Sequence, residues 1–262
     1  MIMQEFVIRI RQRDGSEYEP SSIRGIISSL DTGAISHAEI DQLYATGELG
    51  NHNPRSLINT LWFKTTTHFG IRGGGTEHKQ LMWGDIQLGI EGSEEFLEFN
   101  ERQTKTRTDS DTNNIRRQKP RMYATGTERC PVVTYKQYAD HRPMIFSADD
   151  HPFYLAVDTN KVNPADHAQW FLAAPIGRNK LDSIMKKMAE RAGLPALMNG
   201  KRLTNTSASK RLCQKLLQSN VPDTQAILIT GHKNAGSLNN YRVLSNDQRQ
   251  SISNLLYITR LT

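Results

Sequence analysis

The segment from residue 55 to residue 69 constrains the fold more than any other part of the chain. Its large apolar side chains recur three or four positions apart and fall on one stripe of a helix: Leu57, Ile58, Leu61, Trp62 and Phe69. Other parts of the chain must cover such a stripe, so the pattern predicts a core helix. No stretch approaches the ~20 continuous apolar residues of a membrane helix, and we expect no membrane-spanning segment.

The other predicted elements are mostly helices around one small sheet. Ser36 and Glu39 match a capping box that opens a helix. Apolar alternation around Gly92 predicts a β-hairpin or a three-strand meander within residues 86–107. Further helices are predicted at 20–30, in a short segment containing Leu81 and Met82, and at 179–191, 207–219, 222–229 and 245–257. Strand-like segments are expected at 6–10, 130–135 and 153–157, and a polar loop is expected at 108–119.

The two cysteines exclude several classes of site. Cys130 and Cys213 lie far apart, and neither belongs to a Cys-x-x-Cys pair. This usage argues against a disulfide framework and a zinc site and fits a reducing compartment. The first residues mix charged and apolar side chains, which is not typical of a secretory signal. We therefore expect an intracellular protein without a bound metal.

Charge is distributed unevenly. Residues 1–100 carry 8 basic and 14 acidic side chains, whereas residues 101–262 carry 25 basic and 13 acidic ones. A basic C-terminal part favours a polyanionic partner, because nucleic-acid affinity comes largely from phosphate neutralisation. The alternative is a solvated, lysine-rich surface of no special purpose.

The segment 229–241 carries the motif with the clearest chemistry. A predicted helix ends at Gly231, His232 follows directly, and Tyr241 comes nine residues after the histidine. This arrangement suits phosphoryl transfer, in which a tyrosine hydroxyl attacks phosphorus while the histidine donates a hydrogen bond to a phosphate oxygen. The alternative is a polar residue at a helix end and a half-buried aromatic side chain.

Several motifs in the same order resemble tyrosine recombinases and integrases. Gly231-His232-x8-Tyr241 is similar to their C-terminal signature, and the segment 69–86 resembles their first-arginine motif. Residues 101–107 fall on the hairpin that carries the family's catalytic lysine. Segments 14–25, 53–63, 101–107, 153–157 and 216–241 look like the Crypton-derived branch, the recombinase-like domain at the carboxy end of MYM-type zinc-finger proteins.

The resemblance implies a fold and four catalytic roles. The fold would be α+β, mainly α, a helical bundle with a small antiparallel sheet. Arg72 would bind the phosphate, Lys105 would protonate the leaving 5′ oxygen, His232 would donate to the phosphate, and Tyr241 would form a 3′-phosphotyrosine. Neither a metal nor a small-molecule cofactor would be needed. The alternatives are an ion pair of Arg72 with Glu77 or Asp85, and an exposed strand charge at Lys105.

Two departures from the family pattern affect the expected activity. The His-x-x-Arg motif is replaced by Thr206-x-x-Ser209. Without the guanidinium that stabilises the transition state, the reaction rate falls roughly 10²–10³-fold or more. Residues 1–35 are expected to be a remnant of the helical core-binding domain that clamps DNA in this family, and residues 36–262 to be the catalytic domain. A triple glycine after Arg72 leaves the position of that arginine open.

The resemblance also implies duplex DNA as the partner, contacted along its backbone, and a nuclear location. Basic side chains expected to contact DNA are Arg107, Arg116, Arg117, Lys210, Arg211 and Lys233. The C-terminal helix 245–257 would pack on its own chain or exchange with a second copy to form a homo-oligomer. Three hypotheses stay open: a recombinase acting through Tyr241, a domesticated DNA- or chromatin-binding module that does not cut, and a protein-interaction domain.

Overall fold

The computed structural model describes residues 16, 19, 32–72, 75–102, 118–160, 169–194, 202–232, 234–244 and 246–256. The predicted elements at 6–10 and 20–30 and most of the predicted loop 108–119 lie outside these residues. The helices are α1 (His37–Ala45), α2 (Pro54–Phe69), α3 (Gly75–Gln80), α4 (Pro131–Asp140), α5 (Arg178–Asp182), α6 (Ile184–Arg191), α7 (Asn205–Gln218), α8 (Asp223–Thr230) and α9 (Asn246–Leu256). The strands are β1 (Ile86–Glu91), β2 (Glu94–Phe99), β3 (Arg121–Tyr123), β4 (Leu155–Val157) and β5 (Phe171–Pro175). Short 3₁₀ turns cover Trp83–Asp85, Met144–Phe146 and Ala235–Tyr241.

Helix α2 is the centre of the core, as its apolar stripe predicts. Asn53 caps it by accepting from the backbone N–H of Ser56, and Pro54 occupies the first turn, where no intrahelical N–H is needed. Trp62 and Phe69 are completely buried. Most of the rest of the helix is also buried. The buried hydroxyls of Thr60 and Thr66 donate to carbonyl oxygens of the preceding turn.

The capping box and the hairpin are both confirmed. The Ser36 hydroxyl accepts from the backbone of Glu39, and the Glu39 carboxylate accepts from the backbone of Ser36, at the start of α1. Strands β1 and β2 pair antiparallel through a turn in which Gly92 has a φ of 62°. Strand β3 adds to β2. A second, two-stranded sheet of β4 and β5 accompanies the predicted one.

Two predicted elements are wrong. Residues 130–135 are not a strand: α4 starts at Pro131, because proline suits a first helical turn and Val132, Tyr135 and Tyr138 at helical spacing bury one face. The segment containing Leu81 and Met82 is not helical. Helix α3 ends at Gln80, and Met82 forms a bridge with Pro152 instead.

The later helices agree with the sequence prediction to within a few residues. The predicted helix after residue 179 is divided at Ser183 into α5 and α6. Helices α7, α8 and α9 lie close to the predicted ranges. Cys130 and Cys213 are free and buried. Among the residues described, no helix is both long and apolar enough to cross a membrane.

His78 lies in a polar cluster inside the core. Its Nε2 is 3.0 Å from Thr66 Oγ1, and its Nδ1 is 3.1 Å from the Tyr154 hydroxyl. That hydroxyl is 2.7 Å from Thr65 Oγ1. Burial lowers the pKa of His78 to about 3. The imidazole is therefore neutral in the folded protein at physiological pH.

Acid is expected to destabilise the protein through His78. Its pKa is lowered from 6.5 to about 3 on folding, so the unfolded chain takes up the proton first. The stabilising contribution is therefore complete above pH 6.5 and is lost as the pH falls toward 3. This group alone should lower the free energy of unfolding by up to ~1.4 kcal/mol per pH unit in that range. Urea unfolding at several pH values measures this. If the free energy of unfolding of His78→Gln falls with pH as steeply as that of the unaltered chain, the prediction is contradicted.

Candidate phosphate-binding site

One pocket gathers most of the predicted catalytic residues. It has a volume of about 430 Å³ and lies among the end of α2, helix α7, the end of α8 and the turn Ala235–Tyr241. Its lining includes Arg72, Thr206, Ser209, His232, Asn240 and Tyr241. These residues come from four separate parts of the chain. A cavity of this size can enclose a phosphate group with its flanking sugar atoms.

Gly70 brings Arg72 to the pocket. It ends α2 with a φ of 64°, in the left-handed region that glycine tolerates. A Cβ at this position would lie 2.6 Å from the carbonyl oxygen of Ile229. The end of α2 therefore packs directly on the end of α8, and the chain leaving α2 carries Arg72 to the wall that holds His232.

Glu77 is the acidic partner of Arg72. Its Oε2 accepts from the Arg72 backbone N–H at 2.8 Å, and its Oε1 lies 3.7 Å from Arg72 Nε. Asp85, the alternative partner for Arg72, accepts a hydrogen bond from Arg102 instead. The Arg72 side chain is largely exposed, so the ion pair leaves its guanidinium accessible to the pocket.

The predicted motif 231–241 has the expected local structure. Gly231 ends α8 with a φ of 69°, and the His232 Nδ1 lies 2.8 Å from Thr230 Oγ1. The ring centres of His232 and Tyr241 are 5.6 Å apart in an edge-to-face arrangement. Leu238 is completely buried and anchors the turn between them. Histidine and tyrosine thus lie side by side on one wall.

The environment keeps Tyr241 protonated at neutral pH. Burial raises the pKa of its phenol, and the neighbouring Cys213 acts in the same direction, whereas the positive charge of Arg72 opposes the shift. Tyr241 is half-buried. A protonated phenol would need a base, or a charged phosphate environment, to act as a nucleophile.

Helix α7 divides its side chains between the pocket and the N-terminal segment. Thr206, Ser209 and Cys213, at positions i, i+3 and i+7, face the pocket. Lys210 Nζ donates to the carbonyl of Thr32 at 2.8 Å, and Arg211 Nη1 donates to that of Ile35 at 3.1 Å. Neither cation lines the pocket in place of the arginine that the resemblance implies at position 209. Their predicted contact with DNA stays a prediction.

Five of the predicted site residues fall in parts of the chain that the structure does not describe. Lys105, Arg107, Arg116, Arg117 and Lys233 lie outside the described residues, so their roles stay predictions. Six further residues line the pocket although the sequence does not mark them as site residues, namely Gly70, Leu212, Cys213, Thr230, Ser237 and Asn240. Helical spacing from Thr206 was enough to find Cys213. Nothing in the sequence distinguishes Ser237 or Asn240 from ordinary turn residues.

Comparison with known sequences identifies the family. Residues 34–190, more than half of the chain, match the family model described as Domain of unknown function (DUF3504). Uncharacterized protein KIAA1958 of Homo sapiens is 25% identical over 187 residues, which cover 68% of this chain and 25% of that protein. Zinc finger MYM-type protein 2 of Mus musculus is 25% identical over 180 residues, which cover 62% and 13%. The chain thus spans a quarter or less of these relatives.

Comparison with solved structures identifies the fold. XerA recombinase superposes with a TM-score of 0.51 at 13% identity, over 86% of this chain and 64% of that one. XerH site-specific recombinase, in a pre-cleavage complex with difH substrate, gives 0.50 at 10% identity, over 96% and 61%. The chain spans less than two thirds of either. It belongs to the family described as Domain of unknown function (DUF3504) and has the tyrosine-recombinase catalytic-domain fold.

Proposed function

We propose that this chain binds duplex DNA by holding a backbone phosphate in the pocket of Arg72, His232 and Tyr241, and that it has lost most of the strand-cleaving activity. The pocket itself carries the proposal: Arg72 and His232 line it with Tyr241, while Thr206 and Ser209 occupy the facing wall. An arginine fork and an imidazole are suited to the nonbridging oxygens of a phosphodiester.

The loss of cleavage follows from the side chains of Thr206 and Ser209, which line the pocket from α7. In-line attack by the tyrosine builds negative charge on the phosphate oxygens, and preorganised positive donors stabilise that charge. Hydroxyl groups at 206 and 209 are short and neutral. They donate weaker hydrogen bonds than a guanidinium and an imidazolium would, which costs on the order of 10²–10³-fold in rate. Binding of a phosphate before any reaction depends less on the groups at positions 206 and 209, so we expect the chain to keep its affinity for DNA.

The origin and assembly of the protein belong to the same proposal. The MYM-type relative and the motifs of the chain support a Crypton-derived, nuclear protein. Exchange of α9 with a second copy is supported by its apolar side chains, since Leu255 and Leu256 are 81% and 77% exposed. Such exposure is unusual for leucines that pack on their own chain.

Arg72→Ala is expected to weaken binding to a short duplex by about tenfold, or roughly 1.4 kcal/mol, because a charge-assisted contact to phosphate is lost. Arg55→Ala is the matched control. Arg55 lies at the opposite end of α2 and pairs with Glu48, so its removal should change affinity less than twofold. Fluorescence anisotropy between about 50 and 200 mM salt measures both variants, and affinity should fall steeply with salt.

Tyr241→Phe separates binding from cleavage. It should weaken duplex affinity less than twofold, because a phenol that stays protonated adds no charge to the phosphate site and contributes at most one neutral hydrogen bond. The absence of any DNA affinity at low salt would overturn the proposal and leave a protein-interaction domain. A rapid covalent adduct of the unaltered chain with nicked duplex would overturn the second half and indicate an active recombinase.

A further inference from the structure

A second and larger cavity lies on the other side of α7. This groove has a volume of about 1490 Å³ and runs among α1, α2, β3, α7 and α8. Leu212 lines both the groove and the pocket of Arg72, His232 and Tyr241, which we call the phosphate pocket, so the two share one wall. We call this cavity the cationic groove, after six of its lining residues: Lys64, Lys119, Arg121, Arg129, Arg211 and Lys215.

Acidic side chains neutralise only part of this charge. Arg129 pairs with Asp41 at 2.7 Å, and Arg121 and Lys119 both pair with Glu98, the acidic residue in the lining. Arg121 also pairs with Glu91 at 2.7 Å. Among the described residues, no carboxylate lies within ion-pairing distance of the other three cations, Lys64, Arg211 and Lys215. Of these three, Arg211 is partly neutralised at longer range by Asp41 and Glu39.

Lys64 is the most unusual of these three. It is 6% exposed, and its ammonium donates to the carbonyl of Arg129 and to the hydroxyl of Thr134. Burial lowers the pKa of Lys64 to about 8. Buried cations are normally matched by an anion, because hydrogen bonds to neutral groups recover only part of the lost hydration.

The groove also has apolar lining residues, which decide between the classes of anionic partner. Tyr44, Phe63, Leu216, Leu228 and Ile229 line it together with the cations. Surfaces that bind DNA are polar and wet, so these apolar side chains favour a protein segment over a phosphate backbone. An amphipathic helix fits both features, with its apolar face on these side chains and its carboxylates against the cations.

We propose that the cationic groove is a docking site for an acidic amphipathic helix of a partner protein. Charge complementarity favours a partner over segments of this chain. Residues 246–262 contain Asp247 against Arg249 and Arg260, and residues 103–117 contain four basic and two acidic side chains. Residues 1–31 are close to neutral, with four arginines and five acidic side chains. None of these segments supplies the excess of carboxylates that the groove requires.

The test uses the full chain and a labelled peptide of about 18 residues, or five helical turns, with leucines on one face and glutamates beside them. Saturable binding is expected by fluorescence anisotropy. Lys215→Glu should weaken it by about tenfold, because it places a like charge against the peptide. Lys187→Glu is the control: it makes the same charge change on the exposed face of α6 and should have less than a twofold effect.

Hydrogen exchange gives a second readout that does not depend on a variant. Peptide binding should protect the amides of α8, which line the groove through Gln225, Leu228 and Ile229. Equal binding of a peptide with lysine in place of glutamate would overturn the proposal. So would a Lys215→Glu variant that loses duplex DNA affinity while keeping peptide affinity. Dissociation of a homodimer by Lys215→Glu would show that a second copy fills the groove instead.

Discussion

The double variant Thr206→His, Ser209→Arg is expected to form a covalent adduct with a nicked duplex at least ~100-fold faster than the unaltered chain. Both positions line the pocket that contains Arg72, His232 and Tyr241. The two substitutions would add an imidazole and a guanidinium aimed at the phosphate from the facing wall. These groups stabilise charge that develops only in the transition state, so they should raise the rate more than the affinity.

Denaturing gel electrophoresis of the protein–DNA adduct measures this gain. Adding Tyr241→Phe to the double variant should abolish the adduct. The pair Thr206→Asn, Ser209→Gln is a matched control, because it enlarges both side chains without adding charge and should give no gain. If the double variant folds, as judged by its thermal unfolding, and forms no more adduct than the unaltered chain, the lost motif is not what limits cleavage.

Arg142→Ala is expected to cost roughly 3–5 kcal/mol of stability, the largest effect that we expect from one substitution outside the phosphate pocket. Arg142 is 5% exposed. Its Nη1 donates to the carbonyl of Phe153 at 2.7 Å and to the hydroxyl of Tyr138, and its Nη2 donates to the carbonyls of Phe146 and Pro152. The guanidinium also lies 4.2 Å from the centre of the Trp83 ring.

The physical reason is that the planar guanidinium of Arg142 donates hydrogen bonds to several buried oxygen atoms at once. Removing it takes the donor away from the carbonyls of Phe146 and Pro152 and releases the chain between α4 and β4. The carbonyl of Phe153 keeps the Tyr138 hydroxyl as a donor. Arg142→Lys keeps the charge but not the fork, and it should recover less than half of the loss. Arg178→Ala, which removes an exposed arginine paired with Asp182, should change stability by less than ~0.5 kcal/mol. Chemical denaturation measures all three, and a loss below ~1 kcal/mol for Arg142→Ala would contradict the expectation.

Local chemistry explains where the sequence prediction succeeded. Ser36 with Glu39 and Asn53 with Ser56 form caps within four residues, so the starts of α1 and α2 do not depend on distant contacts. The nine residues from His232 to Tyr241 form one helix end and one short turn. Their mutual position is therefore a local property as well.

Tertiary packing explains where the prediction failed. Val132 and Val133 favour a strand by intrinsic preference, yet burial against the core makes the segment helical. Arg142 looks like an ordinary basic residue in the sequence. Its importance arises because carbonyls from residues 146–153 converge on it, and no local pattern marks that convergence.

The sequence by itself determined most of the helices among the described residues, the hairpin, the spacing of His232 and Tyr241, and the absence of histidine and arginine at 206 and 209. Only the tertiary structure decided that Arg72 reaches the same pocket, because that depends on the contact of Gly70 with the carbonyl of Ile229. The structure also decided that one face of α7 lines the phosphate pocket and another lines the cationic groove. The physical reason is that helical periodicity specifies which side chains share a face, whereas the packing of distant elements specifies what each face meets.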